Sequence, residues 1–322
     1  MTGWACDFID RQVQKDQPFL LHLCHYLVHS PITAQRRLVP KYTRRLKKIH
    51  TDQDNLAYAT MVQAMDDSVG RVVGQLKRLG QLDNTLIIFT SDNGGYTGKE
   101  VTSNYPLMGG KSFSYEGAYR VPFIAQWKGV IPPGQTSDQR VIGMDVYPTI
   151  LEAAGLALDA EQHADGVSLM GEMTHQKMGV PLEQRPLYFH HPHYTHASSP
   201  HSIIIENDYK LIRYYNDAAG RYALFNLNQD PTEQHDLSAT ETELVQQLDE
   251  KLTAYLNETD SEMPIAADSD AGRQLLALHQ RGENKGYNNS FKDHTEVMNK
   301  QTEHELAMQE RAVQEQKLEG SN

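Results

Sequence analysis

The sequence is short of several things at once. Only two cysteines, Cys6 and Cys24, occur in 322 residues, which rules out a disulfide framework, and no Cys/His spacing matches a structural zinc site. Whether the two pair with each other is left open by their spacing. No apolar run approaches the roughly 20 residues of a membrane span. The opening stretch, MTGWACDFIDRQVQKDQ, lacks the basic start and apolar segment of a signal peptide. Excess positive charge is missing too: 30 Lys and Arg stand against 42 Asp and Glu, a net charge of −12. That argues against a nucleic-acid binder, because phosphate backbones attract basic surfaces. A small anionic substrate remains compatible, since a local cationic pocket can sit in an acidic protein. No internal repeat is visible.

What is present alternates between helical and strand-like texture. Apolar residues make up 39% of the chain, enough for one large domain or two modest ones. Phe8, Ile9 and Val13 sit at helical spacing near the start. Residues 18–28, PFLLHLCHYLV, form an apolar run punctuated by histidines, which reads as a strand buried on both faces. It stops at Pro31, which cannot donate to a ladder and biases Ser30 away from helix. The period of two sends His22 and Cys24 to one side and His25 and His29 to the other. The basic stretch QRRLVPKYTRRLKK reads as a solvated loop and helix.

Leu56, Val62, Met65, Val69, Val72, Val73, Leu76 and Leu79 give residues 55–80 one apolar helix face, which Gly80 closes. A turn at Asp83-Asn84 leads into TLIIFT (85–90), a short buried strand. Helix, turn and strand in that order are the repeating unit of a parallel α/β sheet. VPFIAQW (121–127) is a second such strand, and DVYPTILEAAGL (145–156) is a short helix with Pro148 near its first turn. From 158 the texture changes to loops, then to antiparallel strands in 203–215 and 222–227, then to an amphipathic helix over 241–256. Beyond 258 the chain is polar, and 294–318 reads as a solvated helix with a thin apolar face.

Four places carry chemistry. In TLIIFTSDNGGYTGK, Asp92 and Asn93 follow a strand end, where ligands gather in doubly wound sheets. They offer a carboxylate and an amide oxygen, ligands for a hard cation such as Ca²⁺ or Mg²⁺, and Gly94-Gly95 allow close backbone approach. In LMGGKSFSYEGAYRVPFIAQW, Gly109-Gly110 precede a lone Lys111, placed to hold an anion as a point charge. Glu116 and Arg120 in the same stretch are spaced to pair. His29, at the end of the 18–28 run, can donate to an anion or protonate a leaving group. The histidine-rich FHHPHYTHASSPHS, with His190, His191, His193, His196 and His201, reads as a polar loop, at a pocket rim or plain. Each of these residues also has an ordinary structural reading: a turn, a surface lysine, a core histidine.

Taken in order, PFLLHLCHYLVHSPITA, MDDSVGRVVGQL, TLIIFTSDNGG, GGKSFSYEGAYRVPFIAQWKGVIPPG and DVYPTILEAAG resemble the sulfatase family of the alkaline-phosphatase superfamily. NDYKLIRYYND…YALFNLNQDPTEQHDL resembles its C-terminal subdomain. The resemblance implies an α/β fold, an incomplete doubly wound alkaline-phosphatase-like sheet, plus a small antiparallel sheet with one packed helix. It divides the chain into a catalytic part over 1–157, an antiparallel subdomain over 158–258 and a polar tail over 259–322. It further implies that Asp92 and Asn93 are two of four protein ligands of a Ca²⁺ ion (Mg²⁺ being the alternative). By the same resemblance Lys111 contacts the sulfate group, His29 contacts it from another side, and His193 binds substrate, a sulfated small molecule or glycan.

The departure from the family is at the nucleophile. Members carry a Cys-x-Pro/Ala-x-Arg motif whose first residue becomes formylglycine, with an acidic metal-binding pair nearby. Here Cys6 is followed by Asp-Phe-Ile and Cys24 by His-Tyr-Leu, so neither fits. The expectation is that both features lie upstream, that the complete form is exported, and that this chain alone turns over negligibly. Two other readings stay open at this point: a metal-dependent phosphatase or phosphonate hydrolase of the same superfamily, and a non-catalytic anion-binding protein.

Overall fold

The computed structural model describes residues 1–49, 53–98, 101–159, 161–162, 165–175, 185–195, 197–216, 221–266 and 268–280. The expected solvated helix over 294–318, and His196, lie outside them. The described residues gather into two compact units, each discontinuous in sequence. One takes Met1–Asp92, Tyr96–Ser103 and Pro122–Gly179; the other takes Asn93–Gly95, Asn104–Val121 and the chain from Val180. No helix among them is long and apolar enough to cross a membrane.

In the first unit, helix α1 (Thr2–Gln14) packs on α3 (Leu56–Arg78), with the basic α2 (Val39–Leu46) lying on α3 as well and burying none of its own residues. α1 contributes Ala5 and Ile9 to the contact. The buried side of α3 is rotated from the expected stripe: it holds Thr60, Met61, Ser68, Gln75 and Leu76, while Val62 is 39% exposed. The polar members are tolerated because each has a partner: Thr60 accepts from Gln35 N and donates to Ala57 O, and α1 serves the other two. Thr2 and Ser68 share a hydroxyl hydrogen bond of 2.6 Å, and Gln75 donates to Asp10. α3 is capped at its start by Asn55 Oδ1, which accepts from Tyr58 N. At its end the left-handed Gly80 donates to Lys77 O and Gln81 N to Leu76 O, a Schellman closure. α5 (Val146–Ala153) ends the same way at Gly155.

Two strand expectations are corrected here. Residues 18–26 form no strand; exposure alternates along them, and they have no ladder partner among the described residues. Leu20 is 65% and Tyr26 80% exposed, so the run is not buried on both faces. Burial of that kind comes from neighbouring strands, not from apolar composition. The alternation itself holds, with His22 Nε2 and Cys24 Sγ 3.5 Å apart on one side; both cysteines are free. Second, β1 (Ile87–Thr90) pairs with β2 (Phe123–Gln126) antiparallel, Ile87 opposite Gln126 and Thr90 opposite Phe123. A parallel pair needs a crossover, usually a helix, and the only helix described between these strands is the four-residue α4 (Glu116–Tyr119).

The second unit is built on a four-stranded antiparallel meander, β3 (Leu187–His191), β4 (His201–Glu206), β5 (Tyr209–Tyr214) and β6 (Tyr222–Asn226). One face, through Ile204, Leu211 and Leu224, packs on Val245, Leu248, Leu252 and Leu256 of an amphipathic helix, Thr242–Glu258. Those apolar side chains recur at helical spacing, and fully burying each is worth about 1.5–3 kcal/mol. The small antiparallel sheet with one packed helix is therefore as the sequence reading has it. Alternate residues, including Lys210 and Ile212 on β5, face the other way and are buried as well. There they meet the segment that carries Lys111, through contacts such as Tyr115 on Phe225 and Glu116 on Lys210.

Candidate active site

Asn93, Gly94 and Gly95 form a tight loop whose backbone is stitched to the 104–118 segment. Gly94 N donates to Ala118 O (2.9 Å), and Lys111 N donates to Gly95 O (3.0 Å). The Asn104 side chain accepts from Gly95 N and donates to Gly95 O and Gly109 O. Gly94 serves close approach rather than turning: a Cβ there would lie 1.7 Å from Gly117 O. Gly117 in turn passes Gly109 and Met108, where a Cβ would lie 2.4 Å from either carbonyl oxygen. Gly109 is left-handed (φ 72°) and so is Ser112 (φ 75°). Thr195 Oγ1 holds Ser112 O at 2.7 Å. Lys111 therefore sits on a backbone fixed on both sides, and it and Asn93 are brought onto neighbouring loops of one unit.

The other expected residues stand as follows. Asp92, exposed, follows β1 in the first unit. His29, also exposed and in the first unit, places Nδ1 3.0 Å from the Ser30 carbonyl, so that nitrogen carries the proton. A neutral ring then presents an acceptor at Nε2, and donating to an anion from that atom requires a second proton. His193 is exposed just past β3, its ring 6.1 Å from that of His191.

The histidine-rich stretch is not simply a loop. His190 and His191 end β3, and His201, 1% exposed, begins β4 opposite His191. His190 is fixed by Ser202 Oγ (2.6 Å) and by Glu262 O (2.7 Å). His201 Nδ1 donates to Ser199 O (2.7 Å), which leaves Nε2 to accept from Tyr119 Oη at 3.0 Å. Burial pushes the His201 pKa down to about 3, so the ring is neutral. Burial also lowers His191 and raises the Tyr119 phenol. The pairing of LYFHH with HSIII, apolar against apolar with His190 opposite Ser202 and His191 opposite His201, is the signal that the loop reading overlooked.

A buried ionic group also escaped the sequence reading. Lys210, fully buried on β5, sets its ammonium 3.2 Å from Glu116 Oε1 and 2.8 Å from Glu233 Oε1. Glu233 Oε2 accepts from Glu116 N at 2.5 Å. Glu116 thus pairs with Lys210 and not, as its spacing suggested, with Arg120, whose backbone N alone contacts Glu116 O. Burial raises the Glu233 carboxyl to about 7, against the pull of Lys210 and with the push of Glu116. Burial works to lower Lys210, but the two carboxylates outweigh it and its pKa stands above the ordinary value. The sequence signal was a lysine alternating with Ile212 and Tyr214, on the same side of the strand as two apolar residues.

For a metal, Asp92 and Asn93 are of the right kind, hard oxygen donors, and would supply two of the six to eight oxygens that Ca²⁺ takes. The Asn93 amide nitrogen donates to Gly94 O at 2.8 Å. Among the described residues no group of three or more His, Cys, Asp or Glu is arranged to hold a metal ion.

Comparison with known proteins identifies the family. The sulfatase profile matches residues 5–156, and the C-terminal profile of N-sulphoglucosamine sulphohydrolase matches residues 108–261. A sulfatase of Formosa agariphila is 33% identical over 273 residues, 77% of this chain and 48% of that protein. The N-acetylgalactosamine-6-sulfatase of Sus scrofa is 36% identical over 189 residues, 58% of this chain and 33% of that one. The solved structure of Ps i-CgsB in complex with k-i-k-neocarrahexaose superposes with a TM-score of 0.69 at 27% identity, covering 88% of this chain and 59% of that one. This chain thus spans between a third and a half of the length of these curated relatives. Its α/β architecture is that of the alkaline-phosphatase-like sulfatases, and the chain belongs to the sulfatase family.

Proposed function

We propose that these residues serve the hydrolysis of carbohydrate sulfate esters, by a metal-dependent formylglycine mechanism in the complete enzyme. The observation that carries this reading is the Lys111 N to Gly95 O hydrogen bond, which ties a lysine loop to the Asn93 loop. In this reading Lys111 balances the charge of the sulfate group, and His29, protonated on both ring nitrogens, donates from Nε2 to a sulfate oxygen or protonates the departing alkoxide. Asp92 and Asn93 contribute two oxygen ligands to Ca²⁺, with Mg²⁺ the alternative, and His193 contacts the sugar. The ion, when bound, supplies charge neutralisation on the sulfate oxygens. The preference for a glycan is supported by the relatives: one is an N-acetylgalactosamine-6-sulfatase and another was solved with a neocarrahexaose.

A second reading, anion binding without turnover by this chain alone, is favoured by Cys6 and Cys24, neither of which stands in a formylglycine motif. Calorimetric titration with N-acetylgalactosamine 6-sulfate in Ca²⁺, beside a hydrolysis assay on a form that carries the formylglycine motif, separates the two. Binding weakened tenfold or more in Lys111→Ala, the loss of one charge-assisted hydrogen bond, is the expected result. The second reading expects that binding with no released sulfate. Tighter binding of the 6-phosphate than of the 6-sulfate points to the phosphatase branch, and no binding of either overturns the assignment.

A further inference from the structure

We propose that Lys210 is a positioning residue for Lys111 and Asn93, clamping the loop that carries the anion-binding lysine; this rests on the function proposed above. Lys210 itself touches neither residue. Its ammonium bridges Glu116 and Glu233 and lies 5.5 Å from the centre of the Tyr119 ring, so three groups occupy its donor side. Two of those three, Glu116 and Tyr119, are the ends of α4, the helix that follows the Lys111 loop directly.

From α4 the restraint passes to the site through backbone alone. Gly117 N donates to Met108 O at 2.8 Å and so closes the 108–117 loop around Lys111. Gly94 N donates to Ala118 O, next to Gly117, and Gly94 adjoins Asn93. The glycine crossings leave no slack: any shift of α4 relative to β5 must move Gly94 or the Lys111 loop with it.

The composition of the clamp argues for placement over stability. One lysine shared by two carboxylates, all removed from water, costs about as much in desolvation as its attraction returns, and neutral groups of similar volume often stabilise a core equally well. What the ions add is direction, because Glu233 Oε2 and Glu116 Oε1 fix where α4 begins. Glu233 holds a left-handed backbone (φ 55°) at the point where it reaches α4.

The test compares the parent with Lys210→Met and with the triple variant Lys210→Met, Glu116→Gln, Glu233→Gln, which leaves no buried charge unpaired. Urea denaturation gives stability, and calorimetry with N-acetylgalactosamine 6-sulfate and Ca²⁺ gives affinity well below each midpoint. The single variant is expected to lose stability. The triple variant is expected to recover the parent midpoint while binding the sulfate at least tenfold more weakly. Parental affinity in a stable triple variant overturns the proposal, as does a triple variant that does not fold, since the clamp is then needed for the fold itself. Absence of binding by the parent overturns the sulfatase reading first, and is told apart by needing no variant.

Discussion

Gly94 and Gly117 cross so closely that a single added Cβ on Gly94 would lie 1.7 Å from the Gly117 carbonyl oxygen. The obstructing atom is backbone, so no side chain can turn aside to relieve it. Gly94→Ala is therefore expected to destabilise the protein by roughly 1–3 kcal/mol, as other overpacking changes do, and to weaken sulfate binding. Gly70→Ala and Gly74→Ala, in α3 with nothing within 4 Å of the new Cβ, are expected instead to gain about 0.5–1 kcal/mol each. Urea midpoints for the three variants check the contrast, and a Gly94→Ala as stable as the parent would sink it.

His201 sets an acid limit. Its pKa is about 3 in the folded protein against an ordinary 6.5, so the unfolded chain binds a proton there that the folded chain refuses. Its contribution to stability is present above pH 6.5 and is lost as pH falls from there towards 3. His201→Gln keeps an amide hydrogen-bonding group and removes the titration. Urea denaturation at pH 7 and pH 5 should show a smaller drop in the variant than in the parent; equal drops would contradict the buried neutral ring.

Glu233 acts in the opposite sense. Its carboxyl is raised from 4.5 to about 7, so the folded chain holds the proton more tightly than the unfolded one. That contribution is fully present below pH 4.5 and is lost as pH rises through 7. Between pH 5 and pH 8 the stability of Glu233→Gln relative to the parent should therefore rise. A difference that stays flat over that range would mean that Lys210 holds the carboxylate ionised throughout.

Much of this was legible from the sequence. The helix over 56–78, its glycine closure, the strands at 87–90 and 123–126 and the helix at 146–153 follow from local periodicity and turn chemistry. Lys111 and Asn93 stood out because glycine pairs flank them. What local reading missed depends on partners far away in sequence. Residues 18–26 have a strand's alternation but no neighbour to make them one, and Glu116 has an arginine four residues on yet pairs with a lysine 94 residues away. His201 reads as one histidine among several until the sheet register sets it opposite His191 and buries it.

The clamp on Lys210 also orders events in time. β3 to β6 are neighbours in sequence as well as in space, and Glu233 reaches Lys210 from the same stretch, so these contacts close short loops. Glu116 arrives from 94 residues earlier, and closing a longer loop costs more entropy before any contact repays it. On that ordering Glu233 is expected to reach Lys210 while the meander forms, with Glu116 docking afterwards. The lysine loop is expected to be among the last parts of its unit to be seated, so a probe on that loop would report a late step of folding.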